Sequence, residues 1–152
     1  MPVMASAQIV NLLADPQEKL KLTYTFIAHD LSVVRQVSTR IAVMYLGSIL
    51  EEGPSEEVFA APAHLYSQTL ISAVPVVETT PHQRIALSGD VPSPLKPPSG
   101  CQYHPRCPVA RERCRGRRPA LVEHPSGHKI ACHFRTLGGV CRHDSRTAEV
   151  RA

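Results

Sequence analysis

The sequence has no tryptophan and few other aromatic side chains, since tyrosine and phenylalanine together make up 5% of its 152 residues. Its 14 prolines add to the shortage of core-forming residues, because proline interrupts helices and central strands. The shortage is uneven, because residues 1–74 are apolar and periodic while the remainder is rich in proline, arginine and cysteine. The length is that of about one domain. We predict one compact half, followed by a small module held together by something other than apolar burial.

Long hydrophobic runs are also absent. The longest, Ile41 to Leu46, is far shorter than the roughly 20 apolar residues that a membrane-spanning helix needs. The N-terminus has no basic segment followed by an apolar core, so no secretory signal peptide is predicted. These absences predict a cytosolic chain. In the cytosol, clustered cysteines are more often metal ligands or redox groups than structural disulfides.

The net charge of +4 is concentrated in one segment. Residues 100–135 carry +6 and the rest of the chain −2, with histidine counted as neutral. Such a segment can attract nucleic acid or an anionic lipid surface, and it can equally offset the negative charge of metal-bound thiolates. Its basic residues are Arg106, Arg111, Arg113, Arg115, Arg117, Arg118, Lys129 and Arg135, and its acidic residues are Glu112 and Glu123.

The first part of the chain predicts helices and strands in alternation. Apolar spacing over 4–13, followed by Asp15-Pro16, predicts a helix that breaks and resumes over 17–20. Residues 23–28 are β-branched and aromatic, so we predict a strand that is buried on both faces of a parallel sheet. Asp30 is placed to cap a short helix.

Further elements follow as far as residue 74. Strands are predicted over 40–46 and 49–52, and Ser55 is predicted to cap a helix whose first turn is acidic. Apolar residues from Leu65 onward predict another helix, which ends before Pro75. Residues 75–99 contain six prolines and predict an extended linker.

Three stretches resemble one known family. The run FIAHDLSVVRQVSTRIAVMYLGSILEEG is similar to the C-terminal part of the nucleotide-binding domain of ABC transporters, and more narrowly to the ATP-binding subunits of dipeptide, oligopeptide and nickel importers. The run GPSEEVFAAPAHLYSQTLISAVP resembles the helical tail of those subunits, and PSGCQYHPRCPVARERC resembles their C-terminal extension. The resemblance covers residues 4–134, and its segments stand in the same order as in the family.

The resemblance implies an α/β fold, namely the C-terminal part of a P-loop ABC ATPase domain with parallel strands and helices. It implies that this part occupies residues 1–74 and that a small irregular cysteine-rich extension occupies 100–134. Composition predicts the proline-rich linker at 75–99 between them and a disordered tail at 135–152. The implied function is to energise the uptake of dipeptides or oligopeptides by ATP hydrolysis. The implied partners are a second ATP-binding subunit, membrane permeases and a separate binding protein that delivers the peptide. The implied location is the inner face of the cell membrane.

His29 ends the predicted strand and precedes the predicted helix. By the resemblance it is the switch-loop histidine, which contacts the γ-phosphate of ATP and helps to position the attacking water. A histidine at a strand end can donate a hydrogen bond to a phosphate oxygen and hold the transition-state geometry. The alternative is a histidine whose ring is satisfied by a backbone carbonyl.

Other parts of that ATPase have no counterpart in the sequence. No Gly-Lys pair occurs, so the loop that cradles the phosphates is missing, and none of the four aspartates is followed by glutamate. Leu137-Gly138-Gly139 is only a superficial echo of the family's signature loop. ATP and Mg²⁺ are therefore expected of the full-length family, and this chain alone is predicted not to hydrolyse ATP. We expect a truncated gene, a misplaced start or a non-catalytic remnant.

Four cysteines are spaced irregularly, unlike the paired cysteines of common zinc sites. In some members of the resembled family, four cysteines of this extension bind a [4Fe-4S] cluster. Position carries that role to Cys101, Cys107, Cys114 and Cys132, which are separated by 5, 6 and 17 residues. Cys141 lies outside the matched segment and is predicted to be a spare thiol.

Two alternatives to the cluster stay open. One is zinc, with His104, His128 or His133 replacing a thiolate, and the other is four reduced thiols without metal. A different interpretation of the whole chain is a stand-alone metal-binding module that contacts nucleic acid. The basic segment offers only Tyr103 and Phe134 for base stacking, so nucleic acid is not the predicted partner.

Overall fold

A computed structural model describes residues 16, 17, 19–74, 89–124 and 127–134. Contacts divide the chain into two compact units, residues 1–39 and residues 40–152. The predicted helix over 4–13, the tail from residue 135 and Cys141 lie outside the described residues. No helix in the described ranges is long and apolar enough to cross a membrane.

The first unit contains the helix α1 (Leu31–Val37). The carboxylate of Asp30 accepts hydrogen bonds from the backbone N–H groups of Ser32 at 2.9 Å and Val33 at 3.4 Å, so the predicted N-cap is confirmed. Earlier in the chain, helical backbone at Pro16, Gln17, Lys19 and Leu20 agrees with the predicted turn.

The strand predicted over 23–28 is wrong. These residues have no strand structure in the first unit, and Ile27 is fully exposed while Phe26 is 41% exposed. A strand is stabilised when its backbone groups pair with a neighbouring strand. None of the strands in the described ranges pairs with residues 23–28, so β-propensity alone leaves them unpaired.

The second unit is built on a four-stranded sheet. Its strands are β1 (Arg40–Tyr45), β2 (Ser48–Pro54), β3 (Val122–Glu123) and β4 (Lys129–Ile130), in the spatial order β1-β2-β4-β3. All three pairings are antiparallel, so the predicted parallel sheet is wrong for the described residues. For the pairing of β1 with β2 the reason is local. Leu46 and Gly47, both with positive φ, join β1 and β2 in a tight hairpin, which can only be antiparallel.

The hairpin contains a bulge that decides what β2 buries. Val43 faces Glu51 while Met44 faces Ile49, so Leu50 is the extra residue. As a result Leu50 and Glu51 are both buried, although adjacent strand residues normally point to opposite faces.

Two helices follow the hairpin, α2 (Ser55–Ala60) and α3 (Leu65–Ser72). Both helices were predicted, but the prediction that Ser55 caps α2 is wrong. Pro54 occupies the N-cap position with no side-chain bond, and Ser55 is the first helical residue, with its hydroxyl buried and unpartnered within the described ranges. The cap of α3 is His64, whose Nδ1 accepts from the backbone N–H of Tyr66 at 3.1 Å.

The cysteine-rich segment packs against this framework. It contains a 3₁₀ turn (His104–Arg106) and a short helix, α4 (Glu112–Gly116). One buried cluster joins residues of the hairpin and of α3 to residues of this segment, so within the second unit they share a core. Its members are Tyr45, Leu50, Leu65, Cys101, Tyr103 and Cys114.

Candidate functional site

His29 lies in a bend directly before the capped N-terminus of α1, in the first unit. Its side chain is exposed, and no hydrogen bond joins it to another described residue. The alternative role, a ring satisfied by a backbone carbonyl, therefore has no support in the described part of the chain. The switch role stays a prediction, because the phosphate-binding residues of such a site have no counterpart in this sequence.

The four predicted ligands lie together in the second unit. Cys101 and Cys114 are buried, Cys107 and Cys132 are half-buried, and none of the four forms a disulfide. The backbone N–H of Cys101 donates to the carbonyl oxygen of Cys114 at 2.8 Å, which sets these two residues side by side.

Electrostatic coupling shows that all four side chains are near one another. Burial raises the pKa of Cys101, and the charges of Cys114 and Cys132 raise it further. Burial also raises the pKa of Cys107 to about 11, with contributions from the charges of Cys132, Cys101 and Cys114. Without a cation, Cys101 and Cys107 therefore favour the neutral thiol over the thiolate.

Some features of the site nevertheless suit thiolates. Backbone hydrogen bonds from Tyr103 and His104 lower the pKa of Cys101, and one from Val109 lowers that of Cys107. Such bonds to sulfur are what cysteine ligands of metal clusters receive from their surroundings. Across the described ranges, however, no three His, Cys, Asp or Glu side chains are arranged so that they could hold a single metal ion. The donor chemistry thus fits a thiolate-bound group, while the side-chain arrangement does not enclose one ion.

The three histidines considered as zinc ligands have other contacts. Nε2 of His128 lies 2.8 Å from Oε1 of Glu51, and both side chains are fully buried. Nδ1 of His104 lies 2.8 Å from the carbonyl oxygen of Cys101, and Nε2 of His133 lies 2.7 Å from that of Arg117. In each of the three, at least one ring nitrogen is already engaged.

The basic segment offers little for base stacking. Tyr103 is only 2% exposed, and the guanidinium of Arg111 lies 4.6 Å from the ring centroid of Phe134. Its two aromatic rings are therefore buried or covered.

A group of three tyrosines next to the cysteines was not found from the sequence. Ring centroids of Tyr45, Tyr66 and Tyr103 lie 4.9 to 5.6 Å apart in edge or tilted contacts. Burial raises the pKa of Tyr103 to about 12, and its side chain is hydrogen-bonded to that of Thr69. The hydroxyl of Tyr45 is buried and has no hydrogen-bond partner among the described residues. The alternation of Val43 and Tyr45 along β1 could have identified Tyr45 as buried.

Glu51 is a second residue that the sequence analysis missed. It is fully buried, and its carboxylate accepts from the backbone N–H groups of Ala63 at 2.8 Å and His64 at 3.0 Å, as well as pairing with His128. Glu51 therefore ties β2 to the start of α3 and to the residue before β4. A glutamate in an apolar strand hints at such a role, but its partner lies 77 residues further along the chain and cannot be read from local pattern.

Comparison with known proteins covers most of the chain. A family profile described as "Oligopeptide/dipeptide transporter, C-terminal region" matches residues 50–114. The chain is 48% identical over 136 residues to the probable peptide ABC transporter ATP-binding protein y4tS of Sinorhizobium fredii, which covers 89% of this chain and 38% of the relative. The resemblance to ATP-binding subunits of peptide ABC transporters is confirmed.

Two further relatives of this chain are also ATP-binding proteins of peptide transport. The oligopeptide transport ATP-binding protein AppF of Bacillus subtilis is 45% identical over 88% of this chain and 42% of its own length. The dipeptide transport ATP-binding protein DppF of Haemophilus influenzae is 44% identical over 87% of this chain and 41% of its own length. The chain thus spans about two fifths of the length of these relatives. The matched region at 50–114 contains most of β2, all of α2 and α3, and the first three cysteines.

Proposed function

We propose that this chain supplies the C-terminal part of an ATP-binding subunit of a peptide-class ABC importer, which energises uptake of dipeptides or oligopeptides by ATP hydrolysis. The observation that carries the proposal is the 44–48% identity, over 87–89% of the chain, to relatives named as peptide, oligopeptide and dipeptide transport ATP-binding proteins. ATP and Mg²⁺ are the cofactors of such a subunit, and the residues that hold the phosphates lie outside this sequence.

His29 is the residue of this chain that we assign to the reaction. Its exposed ring stands at the start of a helix whose N-terminus is fixed by Asp30, so the backbone beside it is held in place. A ring N–H there can donate to an oxygen of the terminal phosphate and orient the attacking water. In this proposal the other residues of the chain hold His29 in place and take no direct part in the reaction.

The assembly that we propose has several partners. A second ATP-binding subunit and membrane permeases complete the importer, and a separate binding protein delivers the peptide. The subunit is peripheral to the inner face of the membrane. The absence of a membrane-spanning helix in the described ranges is compatible with that placement.

A chimera tests this proposal. This chain replaces the matched region of the Bacillus subtilis relative, and ATP hydrolysis and peptide uptake are measured in the complete importer. We expect hydrolysis to be retained, and His29→Ala to lower kcat about 100-fold or more, because a donor to the transition state is lost. Gln36→Ala, at an exposed position on the same helix, is the matched control and should leave turnover unchanged.

Two results would contradict the proposal. A folded chimera that binds ATP but neither hydrolyses it nor supports uptake would reject the transport role. Unchanged turnover in His29→Ala would reject the switch assignment alone.

For the cysteines we propose a [4Fe-4S] cluster held by Cys101, Cys107, Cys114 and Cys132, with zinc as the second choice. The proposal is supported by the closeness of four thiols in one partly buried site and by backbone hydrogen bonds to two of the sulfurs. Each thiolate would bind a different iron of the cluster, so the four need not enclose a single ion. When bound, such a group supplies positive charge and cross-links a segment that has little apolar core.

Metal content tests the cluster. The full chain is purified without oxygen, and iron, sulfide, zinc and visible absorbance are measured. Serine substitution at each of the four cysteines should reduce iron content, while Cys141→Ser should not. Colourless protein with one zinc per chain would reject the cluster, and protein that binds neither metal would reject the metal site.

A further inference from the structure

Gly100 stands directly before Cys101 and has φ of +68°. Residues with a Cβ atom are disfavoured in this left-handed region, because the Cβ approaches the following carbonyl oxygen. Glycine has no such restriction. The backbone conformation at this position is therefore one reason for glycine. The close approach of neighbouring backbone atoms is a second reason.

The segment around Gly100 lies on the open C-terminal end of α4. The last carbonyl groups of a helix have no partner within the helix and need one from elsewhere. Here the hydroxyl of Ser99 donates to the carbonyl oxygen of Arg115 at 3.0 Å, and the backbone N–H of Cys101 donates to that of Cys114 at 2.8 Å. Residues 99–101 thus cap α4 from both sides of Gly100.

This docking leaves no room for a side chain at Gly100. A Cβ built there would collide with the carbonyl oxygen of Cys114 and would lie 2.6 Å from that of Arg115. Both obstacles are backbone atoms that take part in the docking, so neither can move aside as the end of a flexible side chain could. Any side chain at this position must push residues 99–101 away from α4.

We propose that Gly100 is a positioning residue of the four-cysteine site: its missing side chain lets residues 99–101 dock on the end of α4 and so sets Cys101 beside Cys114. The inference adds a residue to the proposed metal site. It depends on that proposal only for the identity of the group that the cysteines bind. The closeness of the two thiols is a property of the polypeptide and can be measured without metal.

Thiol bridging tests the inference in the full chain. Cys107, Cys132 and Cys141 are changed to serine, so that Cys101 and Cys114 are the only thiols. Dibromobimane, which becomes strongly fluorescent only after both of its arms have reacted, then reports how readily the two thiols are bridged. Because both thiols are buried, the bridging rate is taken as the rate of the second alkylation relative to the first. We expect Gly100→Ala to slow bridging about tenfold or more, because the docked arrangement becomes the minor one.

Two glycines provide matched controls. Gly89 has φ of +78° with no atom near a built Cβ, so Gly89→Ala tests backbone strain without collision. Gly116 has no positive φ and open space, so Gly116→Ala tests a substitution two residues from Cys114. Both should bridge within about twofold of the parent rate, since neither disturbs the docking.

Gly100→Asn separates conformation from collision. Asparagine tolerates positive φ better than alanine but carries the same Cβ. We expect it to slow bridging as alanine does. Parental rates in Gly100→Asn would overturn the role of close approach, and parental rates in Gly100→Ala would overturn the inference altogether. If Gly100→Ala leaves no folded protein by circular dichroism, Gly100→Asn carries the test.

The metal content of the chain with all its cysteines distinguishes failure of the metal-site proposal from failure of the Gly100 inference. If the four-cysteine chain binds iron or zinc, Gly100→Ala should lose most of it while Gly89→Ala retains it, which supports the inference. If the wild type binds neither metal, the metal centre is rejected, and the bridging rates alone decide whether Gly100 positions Cys101.

Discussion

Two short stretches with similar composition differ in secondary structure and burial in this chain. Residues 23–28 and β1 (Arg40–Tyr45) are both six residues long and rich in β-branched and aromatic side chains. The first is unpaired and largely exposed, whereas β1 pairs with β2 and buries Val43 and Tyr45. The difference is the neighbouring strand. β-propensity describes a fit to a half-buried sheet, and without backbone partners it is not sufficient to form a strand.

Among the substitutions that test how partners stabilise a strand, the largest loss of stability should come from replacing Glu51 in β2. Glu51→Ala removes the acceptor for two backbone N–H groups and leaves buried His128 without its carboxylate, so we expect a loss of about 3–5 kcal/mol in the free energy of unfolding. Urea denaturation measures it. The control is Glu52→Ala, next in the chain, whose pair with Lys129 at 3.2 Å is partly exposed and should contribute at most about 1 kcal/mol. Equal losses in the two variants would show that the buried network does not stabilise β2.

His64 should make the second unit sensitive to acid. Burial lowers the pKa of His64 from 6.5 to about 4. Between these values the unfolded chain binds a proton that the folded chain does not, so this contribution to stability is complete above the unfolded pKa and falls as the pH drops toward the folded one. The full loss is about 3 kcal/mol.

His64→Asn isolates that contribution. Asparagine can still cap α3, but it does not titrate in this range. Urea midpoints of the two proteins, followed from about pH 7 to about pH 4, should diverge as the pH falls, with the variant less affected. Parallel curves would mean that His64 does not couple folding to pH.

The tyrosine cluster offers a smaller test. The Tyr45 hydroxyl is buried without a hydrogen-bond partner among the described residues, whereas that of Tyr103 is bonded to Thr69. Tyr45→Phe should be neutral or stabilising by up to about 1 kcal/mol, and Tyr103→Phe should destabilise by about 1 kcal/mol. Thermal unfolding measures both. A loss in Tyr45→Phe as large as that in Tyr103→Phe would show that the Tyr45 hydroxyl has a partner.

The smallest effect concerns the first unit. Asp30→Ala should weaken α1 by about 1 kcal/mol, which raises the exchange rate of the Ser38 amide about fivefold, because its bond to Val34 closes the helix. Asp30→Asn retains the cap and should change little. An unchanged exchange rate of the Ser38 amide in Asp30→Ala would show that the carboxylate does not stabilise α1.

Local patterns predicted the local elements well. The Asp30 cap, α1, the hairpin and α3 all follow from the spacing of apolar residues and from capping residues within a few positions of one another. The error at Ser55 also has a local cause, since Pro54 takes the N-cap position and shifts the helix by one residue. Motif order also predicted the similarity to peptide ABC ATP-binding proteins, because three matching stretches are far more specific than any one element.

The features that the sequence did not predict depend on residues that are distant in sequence. Continuous apolarity over 23–28 predicts a buried parallel strand only if neighbours are present on both sides. The inward turn of Glu51 depends on the bulge at Leu50, which no composition rule predicts, and its partner His128 comes from the far end of the described chain. The grouping of four thiols was predicted by resemblance, whereas the steric reason for Gly100 required coordinates.

The pairing of β2 with β4 has a consequence for the order of folding. Glu52 and Lys129 are 77 residues apart, whereas β1 and β2 are joined by a two-residue turn. Hairpins form in about 1–10 μs, while contacts between distant segments must first overcome the entropy of closing a long loop. We therefore expect the hairpin to form first and the cysteine-rich segment to join it late. Because closure entropy rises only by about 0.6 kcal/mol for each doubling of loop length, the connection between them can change in length at little thermodynamic penalty.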